Sequence, residues 1–155
     1  MYRTLFVIVS LILSQMAYSQ DTMDSNQQKA KELILEFFEG FHEGDTAKIA
    51  KTIDPNLSML TIVKDKKGTV KTVKTDFNKF FGAIHNRPKE QKWLEKLLSF
   101  KIDADNQIAQ VWTPYEFYVN DQFSHCGVNV FQLFNDGDNW KIIAIADTRN
   151  REGCK

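Results

Sequence analysis

The spacing of the apolar residues changes along this chain from a helical to a strand-like period, and this change limits the fold to helices packed on a sheet. Apolar side chains recur at helical spacing from Ala30 to Phe41, which predicts an amphipathic helix that ends at Gly44. Asp45 then caps a short second helix that closes at Asp54-Pro55. The domain is therefore expected to begin with a helix-turn-helix.

The following segments alternate between apolar and polar residues, which is the pattern of half-buried strands. Residues 57–63 and 69–73 predict a hairpin. A third helix is expected next, because Phe77, Phe80 and Ile84 recur at helical spacing.

After Trp93 the chain has the pattern of four long strands separated by three turns. The turns are Asp105-Asn106, Asn120-Asp121 and Asp136-Gly137, whose residue types favour hairpins. We therefore predict an α+β fold with the element order ααββαββββ, in which an N-terminal hairpin and a four-strand meander form a mostly antiparallel sheet. The three helices are expected to cover one face of that sheet, within a single domain over residues 27–155.

The first 19 residues carry the three parts of a secretory signal peptide. Arg3 gives a positive start, residues 5–13 form an apolar run of nine, and Ala17-Tyr18-Ser19 is a cleavage site of small residues. The run has about half the ~20 residues of a membrane-spanning helix, so no stable membrane anchor is expected. We predict cleavage near Ser19, a disordered segment over residues 20–26, and a mature protein that is periplasmic or secreted.

Composition and motif spacing exclude several classes of function. Twenty Lys and Arg residues balance twenty Asp and Glu residues, so no nucleic-acid partner is indicated. The three histidines lie far apart without metal-site spacing, and glycine-rich phosphate loops are missing, so neither a metal nor a cofactor is expected. Cys126 and Cys154 are candidates for a disulfide in an oxidising compartment, with a buried thiol and a free thiol as the alternative.

Two segments of the chain resemble the nuclear transport factor 2-like superfamily, whose curved sheet wraps around a helix to form a cone. They are residues 37–45 at the first helix junction and residues 137–143 at the entry to the last strand. Residues 123–127 and 147–149 look like the bacterial branch labelled putative lumazine-binding or polyketide-cyclase-like. The resemblance covers the whole mature chain and implies a pocket in the cone.

Ketosteroid isomerase, an enzyme of this superfamily, places a tyrosine and two aspartates around the cone. The matching positions here hold Phe37, Leu60 and Val130. None of these side chains transfers a proton or stabilises an oxyanion, so the resemblance implies that this chemistry is absent at those positions.

The alternation of the strands predicts which side chains line the pocket. With a two-residue turn at Asn120-Asp121, the helix-covered face of the sheet carries Val111, Tyr115, Phe117, Val128 and Val130. That face is apolar with a few hydroxyl groups, which suits an apolar or aromatic ligand and a filled core equally well.

The face shown by the last strand depends on whether the loop before it has four or five residues. A loop of four residues places Ile145, Asp147 and Arg149 inside the cone. A loop of five residues instead places Ile142 and every second residue after it there. The resemblance favours the first register. Asp147 and Arg149 are therefore pocket candidates, together with Phe37 from the first helix.

The opposite face of the sheet is predicted to carry Glu116 and His125 as direct cross-strand neighbours. They are either a carboxylate that orients an imidazole for acid-base catalysis or a surface pair beside an interface. A β-bulge in either strand would exchange the two faces. The aromatic residues Trp112, Phe131 and Trp140 form the expected face of a homodimer.

The expected function is to bind a small hydrophobic or aromatic molecule in the cone. The alternative is an acid-base enzyme of the cyclase, dehydratase or isomerase type, with His125 and either Glu116 or Asp147 as its proton-transfer groups. A second alternative is a structural or interaction module whose cone is packed shut. The feature that separates these readings is a titratable group that faces the cavity.

Overall fold

The computed structural model describes residues 23–154, so the predicted signal peptide and its cleavage site lie outside the described residues. The helices are α1 (Ser25–Glu43), α2 (Thr46–Thr52) and α3 (Phe77–His85). The strands are β1 (Ile53–Lys64), β2 (Val70–Lys74), β3 (Trp93–Leu97), β4 (Lys101–Ala104), β5 (Ile108–Val119), β6 (Gln122–Asn135) and β7 (Trp140–Arg149).

Side-chain caps set the start of each helix. The Asp24 carboxylate accepts backbone hydrogen bonds at the start of α1, and Asp45 and Asp76 cap α2 and α3 in the same way. α1 ends where Gly44 takes a left-handed φ of 77°. Because α1 begins at Ser25, the predicted disorder over residues 20–26 is wrong at its C-terminal end.

The strands form one seven-stranded sheet in the order β2-β1-β7-β6-β5-β3, with β4 also paired to β5. β1 runs parallel to β7, and the other neighbouring strands are antiparallel. The predicted α+β class, the hairpin and the meander are confirmed. The first strand of the meander is interrupted, so that β3 and β4 pair separately with β5.

A β-bulge in β6 decides which of its side chains face the helices. Asn120 and Asp121 form the predicted two-residue turn, with φ of 51° and 63°. Tyr118 pairs with Phe123, but the next pair joins Phe117 to His125, so Ser124 is the extra residue. Because the side chains of a strand alternate, the bulge exchanges the two faces of β6 beyond Ser124 relative to the simple alternation.

A second bulge, in β7, combines the two registers that the sequence left open. Gln132 pairs with Ala144, whereas Leu133 pairs with Ile142, so Ile143 is the extra residue. Ile142 is therefore buried against the helices at the start of β7, while Ile145 and the residues that alternate with it face inward in its second half. Each predicted register holds over one part of the strand.

The hydrophobic core lies between α1 and the sheet. Ile34, Val111, Leu133 and Ile142 are completely buried there. Among residues 23–154, no helix is both long enough and apolar enough to cross a membrane.

The C-terminal residues are joined to β6 on the outer face of the sheet, the face away from the helices. Cys126 and Cys154 form a disulfide, with their Cα atoms 5.8 Å apart. Cys126 and Asn150 also exchange backbone hydrogen bonds of 2.9 and 2.8 Å. Of the two alternatives left open by the sequence, the structure therefore shows the disulfide.

We predict that Gly127→Ala destabilises the fold by about 3 kcal/mol, because an added Cβ would overlap the Thr148 carbonyl of β7 and touch the Tyr115 ring. Gly82→Ala on α3 is the matched control, since its Cβ would meet no atom closer than 3.9 Å. Urea unfolding of both variants measures the effect. A Gly127→Ala variant as stable as the control would contradict this packing.

Candidate functional site

A cavity of about 560 Å³ lies between the sheet and helices α1 and α3. Seven aromatic rings, which we call the aromatic wall, line most of it: Phe37, Phe38, Phe41, Phe80, Trp93, Phe117 and Phe131. The sheet also contributes hydrogen-bonding side chains, which we call the polar cluster: Thr61, Glu95, Tyr115, Asn129, Asp147 and Arg149. The cone is therefore open inside, and its wall is apolar with one concentrated polar region.

The aromatic wall is built from the apolar faces of α1 and α3 and from the inward side chains of the sheet. The Phe80 ring is nearly parallel to those of Phe37 and Phe41, with interplanar angles of 4° and 6°. The Trp93 and Phe117 rings lie on adjacent strands with their centroids 6.2 Å apart. These rings offer both faces and edges to a bound molecule.

Glu95 lies in the polar cluster between aromatic neighbours. It is the cross-strand partner of Phe117 and lies two residues from Trp93 on the same face of β3. Its Oε1 atom accepts a hydrogen bond of 2.6 Å from Asn129 Nδ2. Burial raises the pKa of Glu95 to about 7, while the Asn129 hydrogen bond opposes this shift and the negative charge of Asp147 adds to it.

The backbone of Glu95 is fixed by the C-terminal end of α1. His42 Nε2 accepts a 2.9 Å hydrogen bond from the Glu95 backbone N–H. Arg87 donates to the carbonyls of Phe41 and His42, and its guanidinium lies 5.0 Å from the centroid of the Trp93 ring. Burial lowers the pKa of His42, which favours the neutral imidazole that this hydrogen bond requires.

Asp147 is the second carboxylate of the polar cluster, and it is well supplied with donors. Thr61 Oγ1 donates a hydrogen bond of 2.6 Å, and Arg149 Nε donates one of 2.9 Å. The Tyr115 hydroxyl lies 3.5 Å from Asp147 and donates a 3.0 Å hydrogen bond to the Thr148 carbonyl. Burial raises the pKa of Tyr115, so its hydroxyl acts as a donor.

His125 faces the cavity beside these groups. Its ring lies 4.9 Å from Phe117 and 5.8 Å from Tyr115, measured between centroids, and its Nδ1 is 3.1 Å from Ser124 Oγ. Burial, and then the nearby Arg149 charge, lower the pKa of His125. This shift favours the neutral imidazole.

Five of the eight predicted pocket residues line the cavity: Phe37, Tyr115, Phe117, Asp147 and Arg149. Val111 is buried in the core and does not reach the cavity. Val128 and Val130 are on the outer face, so the prediction for them is wrong, because the bulge at Ser124 exchanges the faces of β6.

The predicted pair of Glu116 and His125 is also wrong, for the same reason. Glu116 pairs with Cys126 on the outer face, where its carboxylate accepts a 2.8 Å hydrogen bond from Tyr118 and lies 3.7 Å from Lys96. His125 lines the cavity instead, together with Asp147. Of the three catalytic candidates, only these two share a site.

The predicted dimer face does not form a surface. Trp112 is half exposed on the outer face, but Phe131 and Trp140 are buried in the core. Phe131 faces inward because Trp112 pairs with Val130 beyond the bulge in β6. A homodimer therefore stays a prediction, and these three residues do not form its interface.

The positions matched to ketosteroid isomerase need the same correction. Phe37 faces the cavity, whereas Leu60 is 39% exposed and Val130 lies on the outer face. Leu60 and Val130 therefore say nothing about the chemistry of the cavity. Its carboxyl groups come from Glu95 and Asp147.

Sequence reasoning missed Glu95, Asn129 and Thr61. A signal for Glu95 was present, because it has the same parity as Trp93 and Leu97 and so interrupts an apolar face. Simple alternation from the Asn120-Asp121 turn places Asn129 on the outer face, and the bulge at Ser124 brings it to the cavity. Within residues 23–154, no group of three or more His, Cys, Asp or Glu side chains is arranged to hold a metal ion.

This architecture, a curved sheet that encloses a cavity beneath helices, is that of the nuclear transport factor 2-like superfamily. Residues 25–146 match the family described as "Putative lumazine-binding", and the chain belongs to that family. No curated protein matches the chain significantly.

Several solved structures share the fold at low sequence identity. An NTF2-like protein from Cytophaga hutchinsonii is 14% identical with a TM-score of 0.62, covering 83% of this chain and 100% of its own. One of unknown function from Pseudomonas putida is 12% identical with a TM-score of 0.63, covering 83% and 91%. Another from Shewanella baltica is 12% identical with a TM-score of 0.58, covering 87% and 98%. These similarities establish the fold alone.

We predict that Glu95 makes stability fall as the pH rises. Its pKa increases from an ordinary 4.5 to about 7 on folding, so the folded state holds a proton that the unfolded chain has lost between these values. The free energy of unfolding should therefore decrease by about 3 kcal/mol from pH 4.5 to pH 7 and change little above that.

Urea unfolding of wild type and Glu95→Gln across this pH range measures the contribution, because the variant lacks the carboxyl group that takes up the proton. The wild-type curve should fall below that of Glu95→Gln as the pH rises. Glu116→Gln, which removes a carboxyl group from the outer face, is the control for loss of one charge. Parallel wild-type and Glu95→Gln curves would show that Glu95 is not buried as described.

Proposed function

We propose that this chain is an exported protein that binds a small, largely apolar or aromatic molecule in the cavity. The observation that carries the proposal is a cavity of about 560 Å³ whose wall joins seven aromatic rings to one polar cluster. Ligand sites in proteins typically have volumes of about 300–1,000 Å³ and this kind of lining. A packed core of the same size would not leave such a space.

The chemistry of the lining indicates the shape of the ligand. The aromatic wall suits a flat ring system, and the polar cluster suits a head group that makes hydrogen bonds. Lumazine, from which the family takes its description, is a flat bicyclic heteroaromatic molecule and belongs to this class.

Export is supported by the sequence of the first 19 residues, with their positive start, apolar run and small-residue cleavage site. The disulfide between Cys126 and Cys154 is consistent with an oxidising compartment outside the cytoplasm.

Native mass spectrometry of the protein exported by its own host tests the proposal. We expect an added small-molecule mass that disappears on denaturation, and a denatured mass that corresponds to a chain starting near Gln20. Ala83→Phe should remove most of the added mass, because Ala83 lines the cavity on α3 and a phenyl ring would fill part of it.

Ala47→Phe is the matched control, since Ala47 is exposed on α2 and away from the cavity. Equal ligand occupancy in both variants would place the binding site elsewhere. A wild-type protein that carries no ligand and takes up no lumazine would argue against the proposal as a whole.

A second candidate function is supported by the position of Glu95, whose carboxyl group lines the same cavity as His125 and Asp147 and whose pKa is raised to about 7 by burial. Such a group exchanges protons readily at neutral pH and suits an acid-base enzyme of the cyclase, dehydratase or isomerase type. Glu95 then takes the role that the sequence had assigned to Glu116, with His125 and Asp147 in the same cavity.

This candidate predicts that the protein exchanges a carbon-bound hydrogen of its own released ligand with deuterium from D₂O. Glu95→Gln should slow the exchange by at least about 100-fold. Glu116→Gln should exchange at the wild-type rate. Absence of exchange with wild-type protein would leave binding as the function.

A further inference from the structure

The Glu95 carboxylate is only half satisfied by the protein. Asn129 donates to Oε1, but Oε2 has no hydrogen-bond partner anywhere in the part of the chain that is described, and Glu95 lines the cavity. Glu95 is only partly buried, and Oε2 is open to the cavity, so a ligand that excludes water there must supply a donor to this oxygen or leave the carboxylate without one.

The charged groups around Glu95 do not supply that donor. Arg149 on β7 is bonded to Asp147, and Arg87 is bonded to the carbonyls at the end of α1. Lys96 on β3 lies on the outer face beside Glu116.

The uncharged polar groups that face Glu95 are also committed. His42 on α1 uses its Nε2 atom to accept the Glu95 backbone N–H. Tyr115 on β5 donates to the Thr148 carbonyl, and the His125 ring on β6 makes its hydrogen bond with Ser124 Oγ. Asp147, the other carboxylate of the cluster, adds negative charge. The remaining cation of the cavity lining is Lys79, which is exposed on α3.

Two aromatic residues of the cavity lining are neighbours of Glu95 in the sheet. Phe117 is the cross-strand partner of Glu95 and Trp93 precedes it by two residues, and both rings line the cavity. Phe41 packs against both, with centroid distances of 5.7 and 6.2 Å. Aromatic faces attract cations through their quadrupole, and the attraction is stronger away from water.

We propose that the cavity selects an amphiphilic organic cation, a flat apolar body that carries a protonated amine or similar N–H⁺ head group, and that the head group binds Glu95 Oε2. This inference rests on the proposed binding function and adds the charge of the ligand. The cationic head completes the hydrogen bonding of Glu95 and lies against the rings of Trp93 and Phe117, while the body occupies the rest of the aromatic wall. An anionic ligand of the same shape would meet two carboxylates.

Three probes with the same ring and different charge test the inference: 2-naphthylmethylamine, 2-naphthalenemethanol and 2-naphthoate. Their dissociation constants are measured by isothermal titration calorimetry at about pH 8, where Glu95 is ionised. The wild-type protein should bind the amine at least about tenfold more tightly than the alcohol, and the naphthoate most weakly.

Glu95→Gln should remove the advantage of the amine, so that amine and alcohol bind with similar affinity. Glu116→Gln, which changes a carboxylate on the outer face, should keep the advantage. At pH 7 the amine should also release protons on binding to wild type, seen as a dependence of the heat on the buffer, because a cation favours the ionised form of Glu95.

The other outcomes separate the two proposals. If the alcohol binds as tightly as the amine, or if Glu95→Gln leaves the preference unchanged, the ligand charge is wrong while the binding function stands. If the naphthoate binds most tightly, Lys79 and Arg149 govern selection and the inference is overturned. If none of the three probes binds, both the apolar cavity as a binding site and its charge preference are overturned.

Discussion

The pairing of β5 with β6 is the constraint on which the whole site depends. Successive side chains of a strand point to opposite faces of the sheet. The extra residue Ser124 therefore reverses the face on which every later side chain of the fourteen-residue strand β6 lies. His125 and Asn129 face the cavity as a result. Gly127 then allows the neighbouring Thr148 carbonyl to approach β6 more closely than any side chain would permit.

The two carboxyl groups in the cavity differ in the number of hydrogen-bond donors that surround them. Asp147 has Thr61, Arg149 and the Tyr115 hydroxyl around it. Glu95 accepts one hydrogen bond, from Asn129. Its other neighbours are the aromatic rings of the cavity and Asp147, whose negative charge raises the pKa of Glu95 further. A carboxyl group with a single donor in a largely apolar cavity lowers the stability of the fold rather than adding to it. Glu95 is therefore the residue whose presence is best explained by a ligand or a reaction.

Much of the framework could be predicted because its signals are local. The helix caps, the left-handed Gly44 and the Asn120-Asp121 turn depend on residue types within a few positions of one another. The side chains of β5 were also assigned to the correct faces, so that Tyr115 and Phe117 line the cavity as predicted. The wrong face assignments lie on β6, where a single insertion carries no strong local signal.

The sequence by itself determined the element order, the fold class, the aromatic face of the helices and the inward face of β5, because hydrophobic period and turn chemistry act over short distances. Only the tertiary structure decided which side chains of β6 and β7 face inward, that Glu95 meets Asn129, and that Phe131 belongs to the core. The physical reason is that strand pairing is non-local. A bulge inserts one unpaired residue into its strand, and its position is set by how that strand pairs and packs with its neighbours.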